Sequence, residues 1–370
     1  MKIKVLLIAS EHSSGMIPFA SRIIKTLSKD ERFDIYALVV NSGKYSYKRY
    51  LDDLDKTHVM QIEYPKSKSL KLIYKIFPLS IIKSVCLLKK QVRPDVIHFL
   101  TVDFTLAPYF LFHRSRKGLF YTVHDLYPHE TNETKFLERL LHSYMWWGTC
   151  FLRRKIEYLV TSSLEQYNAL KMMYPGKNVY FTHFPSLVTE QMKNGNDEVR
   201  ELLNIEHYIL FFGRIDEYKG VDLLIKAYNE SNLLQKVKLV IAGKGTDYTS
   251  LAGNKKNIIQ INRFINDAEI GDLFKKAALV VYPYRSATMS GVLSIAYYFR
   301  KKVLMSSVPF FLENRTEDSC FFKTGDYKDL LIKMEYLLSG ESDSPESNSY
   351  EELYSDEVLA NDYYNLYLTK

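Results

Sequence analysis

The second half of the sequence alternates short apolar runs with amphipathic segments, and this alternation limits the folds open to the chain. The apolar runs predict buried strands, and the amphipathic segments predict helices between them. The predicted strands are 208–212, 238–242, 258–261, 279–283 and 303–306, and the predicted helices are 221–229, 269–275, 290–299 and 326–338. Such alternation requires a parallel sheet, so we expect a doubly wound α/β domain.

The first half shows the same alternation less regularly. Its predicted strands are 4–9, 33–40, 58–62, 96–99, 119–123, 158–161 and 177–181. A chain of 370 residues is too long for one ordinary hydrophobic core. We therefore predict an N-terminal domain at 1–185 and a C-terminal domain at 186–350. A single final helix at 350–368 makes up most of the remaining segment, 351–370.

The turn after the predicted strand at 208–212 carries two cations beside a helix start. It reads Gly213-Arg214-Ile215-Asp216-Glu217-Tyr218-Lys219-Gly220. In an open α/β sheet, ligands bind at the carboxyl edge of the strands, and a helix start favours anions. Arg214 offers a planar fork and Lys219 a mobile point charge, a combination that suits a diphosphate. The alternative is that both are solvated charges on a surface loop.

This turn, continued by Val221-Asp222-Leu223-Leu224, resembles the glycine-arginine and lysine-glycine signature of the family 4 retaining glycosyltransferases. Residues 240–245 resemble the next strand and glycine turn of that family, and residues 272–283 resemble the helix and strand that follow. The resemblance implies the GT-B fold, with two Rossmann-like doubly wound domains facing a cleft. It also implies a C-terminal helix that crosses back to the first domain.

The resemblance further implies roles for individual residues. It places His124, at the end of the predicted strand at 119–123, over the reacting end of the donor, with Arg214 and Lys219 as the other catalytic residues. The implied donor and diphosphate site comprises Gly15, Gly213, Arg214, Lys219, Thr288, Ser290, Gly291 and Val292. The implied nucleotide site comprises Gly243, Gly245, Arg263, Phe264 and Ile265. Without the resemblance, Gly15 fits a plain strand–helix turn equally well.

The sequence departs from the family at two positions that commonly hold glutamates, one facing the donor sugar and one facing the ribose. Aligning Gly291 with the family glycine puts Thr288 and Ala296 there. We expect hydroxyls and backbone amides of residues 286–292 to receive the sugar and ribose hydroxyls instead.

A basic segment at 66–93 interleaves lysines with apolar residues. With a net charge of +7 for the whole chain, this segment could lie on an anionic membrane surface. The alternative is a helix packed on the sheet with its lysines directed outward. The two interpretations are compatible at different turns of the segment.

Location follows from what the sequence lacks. Residues 4–9 are too short for the apolar core of an export signal, and no run reaches the roughly 18 apolar residues that span a bilayer. Cys86, Cys150 and Cys320 lie far apart, without the paired spacing of a metal site or a disulfide framework. We expect a cytoplasmic protein, peripheral on the inner face of the cell membrane.

The predicted function is a hexosyltransferase-type glycosyltransferase (EC 2.4) that is retaining and independent of metal. Its donor would be a UDP or GDP sugar, its acceptor a glycan or lipid-linked sugar, and its pathway cell-surface polysaccharide, O-antigen or capsule biosynthesis. No cofactor is expected, and no nucleic-acid partner, because no basic stripe with exposed aromatics at a recognised spacing appears. The alternatives are an inactive homologue that binds a nucleotide or a partner, and a GT-B epimerase or phosphorylase.

Overall fold

The computed structural model describes residues 2–11, 15–43, 46–107, 109, 118–126, 136–251, 256–317, 319–339 and 348–370. The chain forms two compact units. The first contains Met1–Pro185 together with Asp356–Lys370, and the second contains Ser186–Ser355.

The first unit is built on a parallel sheet in which the first strand lies near the middle. Its strands are β1 (Ile3–Ala9), β2 (Phe33–Asn41), β3 (Val59–Glu63), β4 (Val96–Phe99), β5 (Leu119–Thr122), β6 (Tyr158–Thr161) and β7 (Asn178–Phe181). Their order is β3-β2-β1-β4-β5-β6-β7. The chain winds outward from β1 in one direction and then from β4 in the other, which is the doubly wound topology.

Helices cover this sheet. They are α1 (Met16–Lys29), α2 (Lys48–Leu51), α3 (Lys68–Ile76), α4 (Leu79–Val92), α5 (Phe136–Lys155) and α6 (Leu164–Met173). The basic segment at 66–93 forms α3 and α4 rather than one helix, because Phe77 precedes Pro78 and therefore leaves the helical conformation, at φ −144° and ψ 83°. One face of α4 is buried in the first unit, through Ile81, Val85 and Leu88.

The second unit repeats the architecture with a six-stranded sheet. Its strands are β8 (Tyr208–Phe212), β9 (Leu239–Ala242), β10 (Ile258–Ile261), β11 (Ala277–Tyr282), β12 (Val303–Ser306) and β13 (Ser319–Phe322), in the order β10-β9-β8-β11-β12-β13. The helices are α7 (Glu190–Asn194), α8 (Val221–Glu230), α9 (Asp267–Lys275), α10 (Val292–Tyr298), α11 (Pro309–Glu313), α12 (Tyr327–Leu338) and α13 (Ser349–Tyr354). The α/β fold class predicted from strand–helix alternation is confirmed.

The end of the chain forms two helices where the sequence predicted one. Ser355 adopts an extended conformation, φ −64° and ψ 154°, between α13 and α14 (Asp356–Tyr367). In the second unit, α13 places the Tyr350 ring 5.2 Å from the Tyr298 ring of α10. In the first unit, α14 is held by an ion pair of Asp356 with Arg22 at 2.9 Å. The single-helix prediction was wrong because its two halves pack in different units.

Candidate functional site

Two loops carry most of the predicted donor site: the turn after β8, residues 213–220, and the loop after β11, residues 283–291. These two donor loops meet at the switch point of the second sheet. Strands β8 and β11 are neighbours, and the chain leaves them towards opposite edges of the sheet. The crevice outside such a pair of strand ends is where open α/β sheets bind ligands. The two loops are in direct contact there, since a β-carbon added at Gly220 would lie 2.0 Å from the carbonyl oxygen of Pro283.

Arg214 presents an open guanidinium fork at this crevice. Its side chain is 72% exposed, and its Nε donates to Oδ2 of Asp216 at 2.8 Å. That hydrogen bond raises the pKa of Arg214. Among the described residues, the two terminal nitrogens of Arg214 have no hydrogen-bond partner, so they remain available to bind two oxygens of an anionic group.

Lys219 lies deeper, on the surface of an aromatic ring. Lys219 is 7% exposed, and its Nζ lies 3.7 Å from the centre of the Tyr284 ring and 4.8 Å from that of the Tyr218 ring. Burial lowers the pKa of Lys219 to about 7; the charge of Asp216 opposes this shift, and the charge of Arg214 adds to it. A buried ammonium beside an exposed guanidinium favours an anionic ligand.

The loop after β11 forms the other side of the crevice. Thr288 is half-buried, Ser290 is buried, and the hydroxyl of Ser290 lies 3.5 Å from that of Tyr284. Helix α10 begins after Gly291, at Val292. Ala296 is fully buried in the core of the second unit, so the position of the second family glutamate lies within packed apolar side chains.

The glycine turn after β9 packs on the turn after β8, backbone against backbone. A β-carbon at Gly243 would lie 1.8 Å from the carbonyl oxygen of Gly213, and one at Gly245 would lie 2.2 Å from that of Ile215. Ile215 and Gly245 also form an isolated parallel bridge. These glycines therefore allow the turns after β8 and β9 to pack main chain against main chain at the same sheet edge.

The predicted nucleotide residues after β10 have three different environments. Arg263 donates to both oxygens of Glu201 and both oxygens of Glu269, at 2.6–2.9 Å, and these bonds raise its pKa. Phe264 is 64% exposed, whereas Ile265 is buried. The Arg263 guanidinium is thus bound to two carboxylates, and the Phe264 ring faces solvent.

His124 lies in the first unit, buried at the end of β5. Its Nε2 is 2.7 Å from the carbonyl oxygen of Leu100, and its ring meets that of Phe19 edge-on at 4.7 Å. Because a carbonyl only accepts, Nε2 carries the hydrogen and Nδ1 carries a lone pair. Burial lowers the pKa of His124, which favours this neutral form. Nδ1 has no hydrogen-bond partner among the described residues.

Two helices hold the backbone that follows His124, which the sequence did not predict. Gln166 of α6 donates to the carbonyl oxygen of His124 at 2.8 Å. Arg153 of α5 is 1% exposed and donates to the carbonyl oxygens of Asp125 and Leu126 at 2.9 and 3.0 Å. Three successive carbonyls are therefore fixed by side chains, which sets the orientation of this loop.

The switch point of the first sheet lies between β1 and β4. There, Asp103 links the backbone that follows β1 to the backbone that follows β4. This buried carboxylate accepts from the backbone N–H of Ser10 at 2.7 Å and from that of Thr101 at 2.9 Å. Gly15, predicted to contact the donor, lies at the N-terminal end of α1. Phe19 of α1 joins this end of the helix to His124.

Tyr284, Tyr218 and Arg285 were missed as site residues. Tyr284 lies between β11 and the loop residues 286–292 that were expected to receive the sugar hydroxyls, so its position was the available signal. Arg285 donates to both oxygens of Asp222 in α8, at 2.8 and 2.6 Å, and to the carbonyl oxygen of Glu217 at 2.8 Å. It therefore fixes the turn after β8 to the loop after β11.

The described residues contain neither a metal-binding cluster nor a membrane-spanning helix. They contain no group of three or more His, Cys, Asp or Glu side chains placed to hold a metal ion. Within the same ranges, no helix is both long enough and apolar enough to cross a bilayer.

Comparison with known proteins identifies the class of the second unit. Residues 206–340 match the model of the family described as glycosyl transferases group 1. This match covers the turn after β8, the glycine turn after β9 and the loop after β11. The resemblance found in the sequence is confirmed over these residues, which lie in the second unit. No curated protein matched the sequence.

Solved structures similar to the whole chain share its fold at low identity. HepE of Anabaena, in complex with UDP and glucose, is 14% identical with a TM-score of 0.70, and the match covers 100% of both chains. A sucrose-phosphate synthase from Thermosynechococcus elongatus is 14% identical with a TM-score of 0.69, covering 100% of this chain and 99% of that chain. The lipopolysaccharide outer core galactosyltransferase WaaB, in its apo form, is 14% identical with a TM-score of 0.61 over the same shares. These matches confirm the GT-B fold that the sequence predicted.

Proposed function

We propose that the protein transfers a sugar from a nucleotide-diphosphate sugar to a glycan or lipid-linked acceptor, with retention, in the assembly of a cell-surface polysaccharide, O-antigen or capsule. The observation that carries this proposal is the pair formed by the open Arg214 fork and the buried Lys219 at the switch point. These cations lie within the residues that match the group 1 family. The UDP-bound structure of HepE supports a nucleotide as the ligand of such a site.

Catalysis in this proposal is electrostatic and positional. Arg214 and Lys219 stabilise the negative charge of the departing diphosphate, where preorganised donors have their largest effect. The positions of the two family glutamates hold Thr288 and Ala296, so neither supplies a carboxylate nucleophile. We therefore propose a front-face substitution in which the departing phosphate accepts the proton of the acceptor hydroxyl.

The nucleobase is proposed to stack on Phe264. This ring is exposed, and its turn is held rigid by the pairing of Arg263 with two carboxylates. Aromatic rings stack on bases with little preference for base identity. This arrangement suits UDP and GDP donors alike.

The first test is ligand-dependent thermal stability, measured with UDP and GDP in a buffer that contains EDTA. A ligand at about 100 times its Kd stabilises the folded state by about 2.7 kcal/mol, which raises the Tm of a domain of this size by about 5–10 °C. Because we propose that binding is independent of metal, we expect the shift in the chelator. A shift that appears only after magnesium or manganese is added would contradict metal independence.

The alternative of an inactive binding homologue has one observation in its favour, the absence of both family glutamates at Thr288 and Ala296. A measurement of turnover distinguishes an inactive binding homologue from an active glycosyltransferase. An inactive homologue would show the thermal shift with UDP or GDP and release no sugar from any of a panel of nucleotide sugars. Hydrolysis or transfer with one donor of the panel would exclude it.

We also propose that the first unit docks on anionic membrane. An apolar patch on this unit consists of the exposed side chains Leu70, Ile73, Ile76, Phe77 and Leu79. Tyr144 of α5 donates to the carbonyl oxygen of Ile76 at 2.8 Å, which brings α5, with exposed Leu140 and Trp147, next to the end of α3.

Cations accompany this apolar patch. Lys71, Lys83 and Lys90 are exposed on α3 and α4. Apolar side chains flanked by lysines, with a tryptophan nearby, are typical of interfacial helices. The opposite face of α4 is core, so the two interpretations of the basic segment apply to different faces of the same helix.

Liposome sedimentation tests the membrane proposal. Lys71→Gln, Lys83→Gln and Lys90→Gln together are expected to weaken binding to anionic vesicles about 100-fold, since each lysine contributes about 1 kcal/mol. Ile73→Ser with Ile76→Ser is expected to weaken it as well. The matched control is Met172→Ser with Met173→Ser, which removes two exposed apolar side chains from α6 of the same unit. Equal retention of the wild type on neutral and anionic vesicles, or none on either, would contradict docking.

A further inference from the structure

The Lys219 ammonium rests on aromatic rings rather than on a carboxylate. Its Nζ lies 3.7 Å from the Tyr284 ring centre and 4.8 Å from the Tyr218 ring centre. No carboxylate of the described residues forms an ion pair with it. A cation on an aromatic face is held electrostatically but gives up no hydrogen bond that a later ligand would have to replace.

The charged groups around Lys219 are already occupied. On its own loop, Asp216 accepts from Arg214 at 2.8 Å. From the loop after β11, Arg285 is bound by Asp222 of α8, at 2.6 Å. The rings of Tyr218 and Tyr284 contact Nζ, and burial raises the pKa of Tyr284, so its phenol stays neutral. Among the described residues, Lys219 thus forms no ion pair with a carboxylate, and the nearby Asp216 is bound to Arg214.

We propose that Tyr284 is a positioning residue that holds the Lys219 side chain in the switch-point crevice until a nucleotide diphosphate binds, and that this binding is coupled to the uptake of a proton by Lys219. The proposal rests on the nucleotide-diphosphate site proposed above. It adds a residue from the loop after β11 to the machinery that the turn after β8 supplies, and it gives the site a defined dependence on pH.

The sign of the coupling follows from the two states of Lys219. Without a bound diphosphate, burial lowers its pKa to about 7, so near neutral pH both the ammonium and the uncharged amine are present. A bound diphosphate favours the ammonium and raises the pKa again. Binding therefore takes up protons above pH 7, and affinity falls as pH rises from there until the pKa of the bound state is reached.

Titration calorimetry with UDP, repeated in two buffers of different ionisation enthalpy, measures this proton uptake. We expect a measurable proton uptake at pH 7 that increases at pH 8, because the pKa of the free lysine is about 7. At pH 8 the phosphate groups are fully ionised, so the protein is the source of the signal. Lys219→Arg keeps the charge but cannot lose a proton, and its uptake is expected to vanish.

Three tyrosine variants test the positioning role. Tyr284→Leu removes the ring, so we expect UDP to bind about 3- to 30-fold more weakly at pH 8 and the midpoint of proton uptake to move to lower pH. Tyr284→Phe keeps the ring and is expected to behave like the wild type. The matched control is Tyr327→Leu, which removes the ring that lies 3.8 Å from Nζ of Lys226 in the same unit.

The outcomes separate this proposal from the proposed function. If neither UDP nor GDP binds the wild type, the nucleotide site itself is wrong. UDP binding without proton uptake, or uptake that persists in Lys219→Arg, overturns the coupling alone. Equal effects of Tyr284→Leu and Tyr327→Leu on affinity and on the midpoint overturn the positioning role of Tyr284.

Discussion

Alanine at Arg214 or at Lys219 is expected to reduce turnover by about 10²-fold or more, while the protein remains folded. Each substitution removes a hydrogen-bond donor to the departing diphosphate. Removal of one such preorganised donor commonly lowers kcat by about 10²–10³-fold. The effect should appear in kcat rather than in KM alone, because the charge develops in the transition state. Initial rates measured with the donor identified by the sugar panel check this expectation.

The structure offers a close control for the Lys219 variant. Lys226 also places its Nζ over an aromatic ring, at 3.8 Å from the centre of Tyr327, but it lies on α8 outside the two donor loops. Lys226→Ala removes the same kind of contact and is expected to leave turnover within about twofold. Near-normal turnover in Arg214→Ala and Lys219→Ala would remove both residues from the catalytic site.

The sequence predicted those parts of the fold whose signals are local. Strands β8, β10 and β12 were predicted with the observed bounds, because each is a short apolar run closed by turn residues. Strand β13 was missed, since Ser319–Phe322 is only partly buried and carries a weaker apolar pattern. The break at Ser355 was missed as well, because both flanking segments favour helix and only the two separate packing surfaces interrupt them.

In the candidate site too, the residues of a local motif were predicted, and the contacts between distant segments were not. Arg214 and Lys219 were predicted from one continuous motif, and the structure places them at the strand end that the motif implied. The rings that hold Lys219, and the pairing of Arg285 with Asp222, join segments that are distant in sequence. Such contacts depend on which strands are neighbours, and the order β8–β11 cannot be deduced from the period of either strand.

His124 shows what a motif cannot convey about a residue it identifies. Its strand-end position was predicted, but its tautomer is set by the carbonyl oxygen of Leu100. The backbone that follows it is set by Gln166 and Arg153, which lie on helices much later in the chain. The buried Arg153 guanidinium serves main-chain carbonyls, an arrangement for which the sequence carries no signal.

Gly220→Ala is expected to lower the free energy of unfolding of the second unit by about 3 kcal/mol or more and to reduce donor binding. Gly220 has φ 66°, a left-handed conformation that costs other residues about 1–2 kcal/mol. In addition, an alanine β-carbon would lie 2.0 Å from the carbonyl oxygen of Pro283, so the two donor loops would have to move apart. Separating these loops would also displace Lys219, which directly precedes Gly220, from the Tyr284 ring.

Gly325→Ala separates the two causes. Gly325 also lies in the left-handed region, at φ 82°, but nothing lies within 4 Å of the position of an added β-carbon. It belongs to the same unit, so both variants are read from the same unfolding transition, followed by circular dichroism in urea. We expect Gly325→Ala to cost about 1–2 kcal/mol and to leave UDP binding unchanged. Equal losses of stability in the two variants would show that backbone conformation alone requires glycine at 220, and the close contact with Pro283 would then contribute nothing to holding the crevice together.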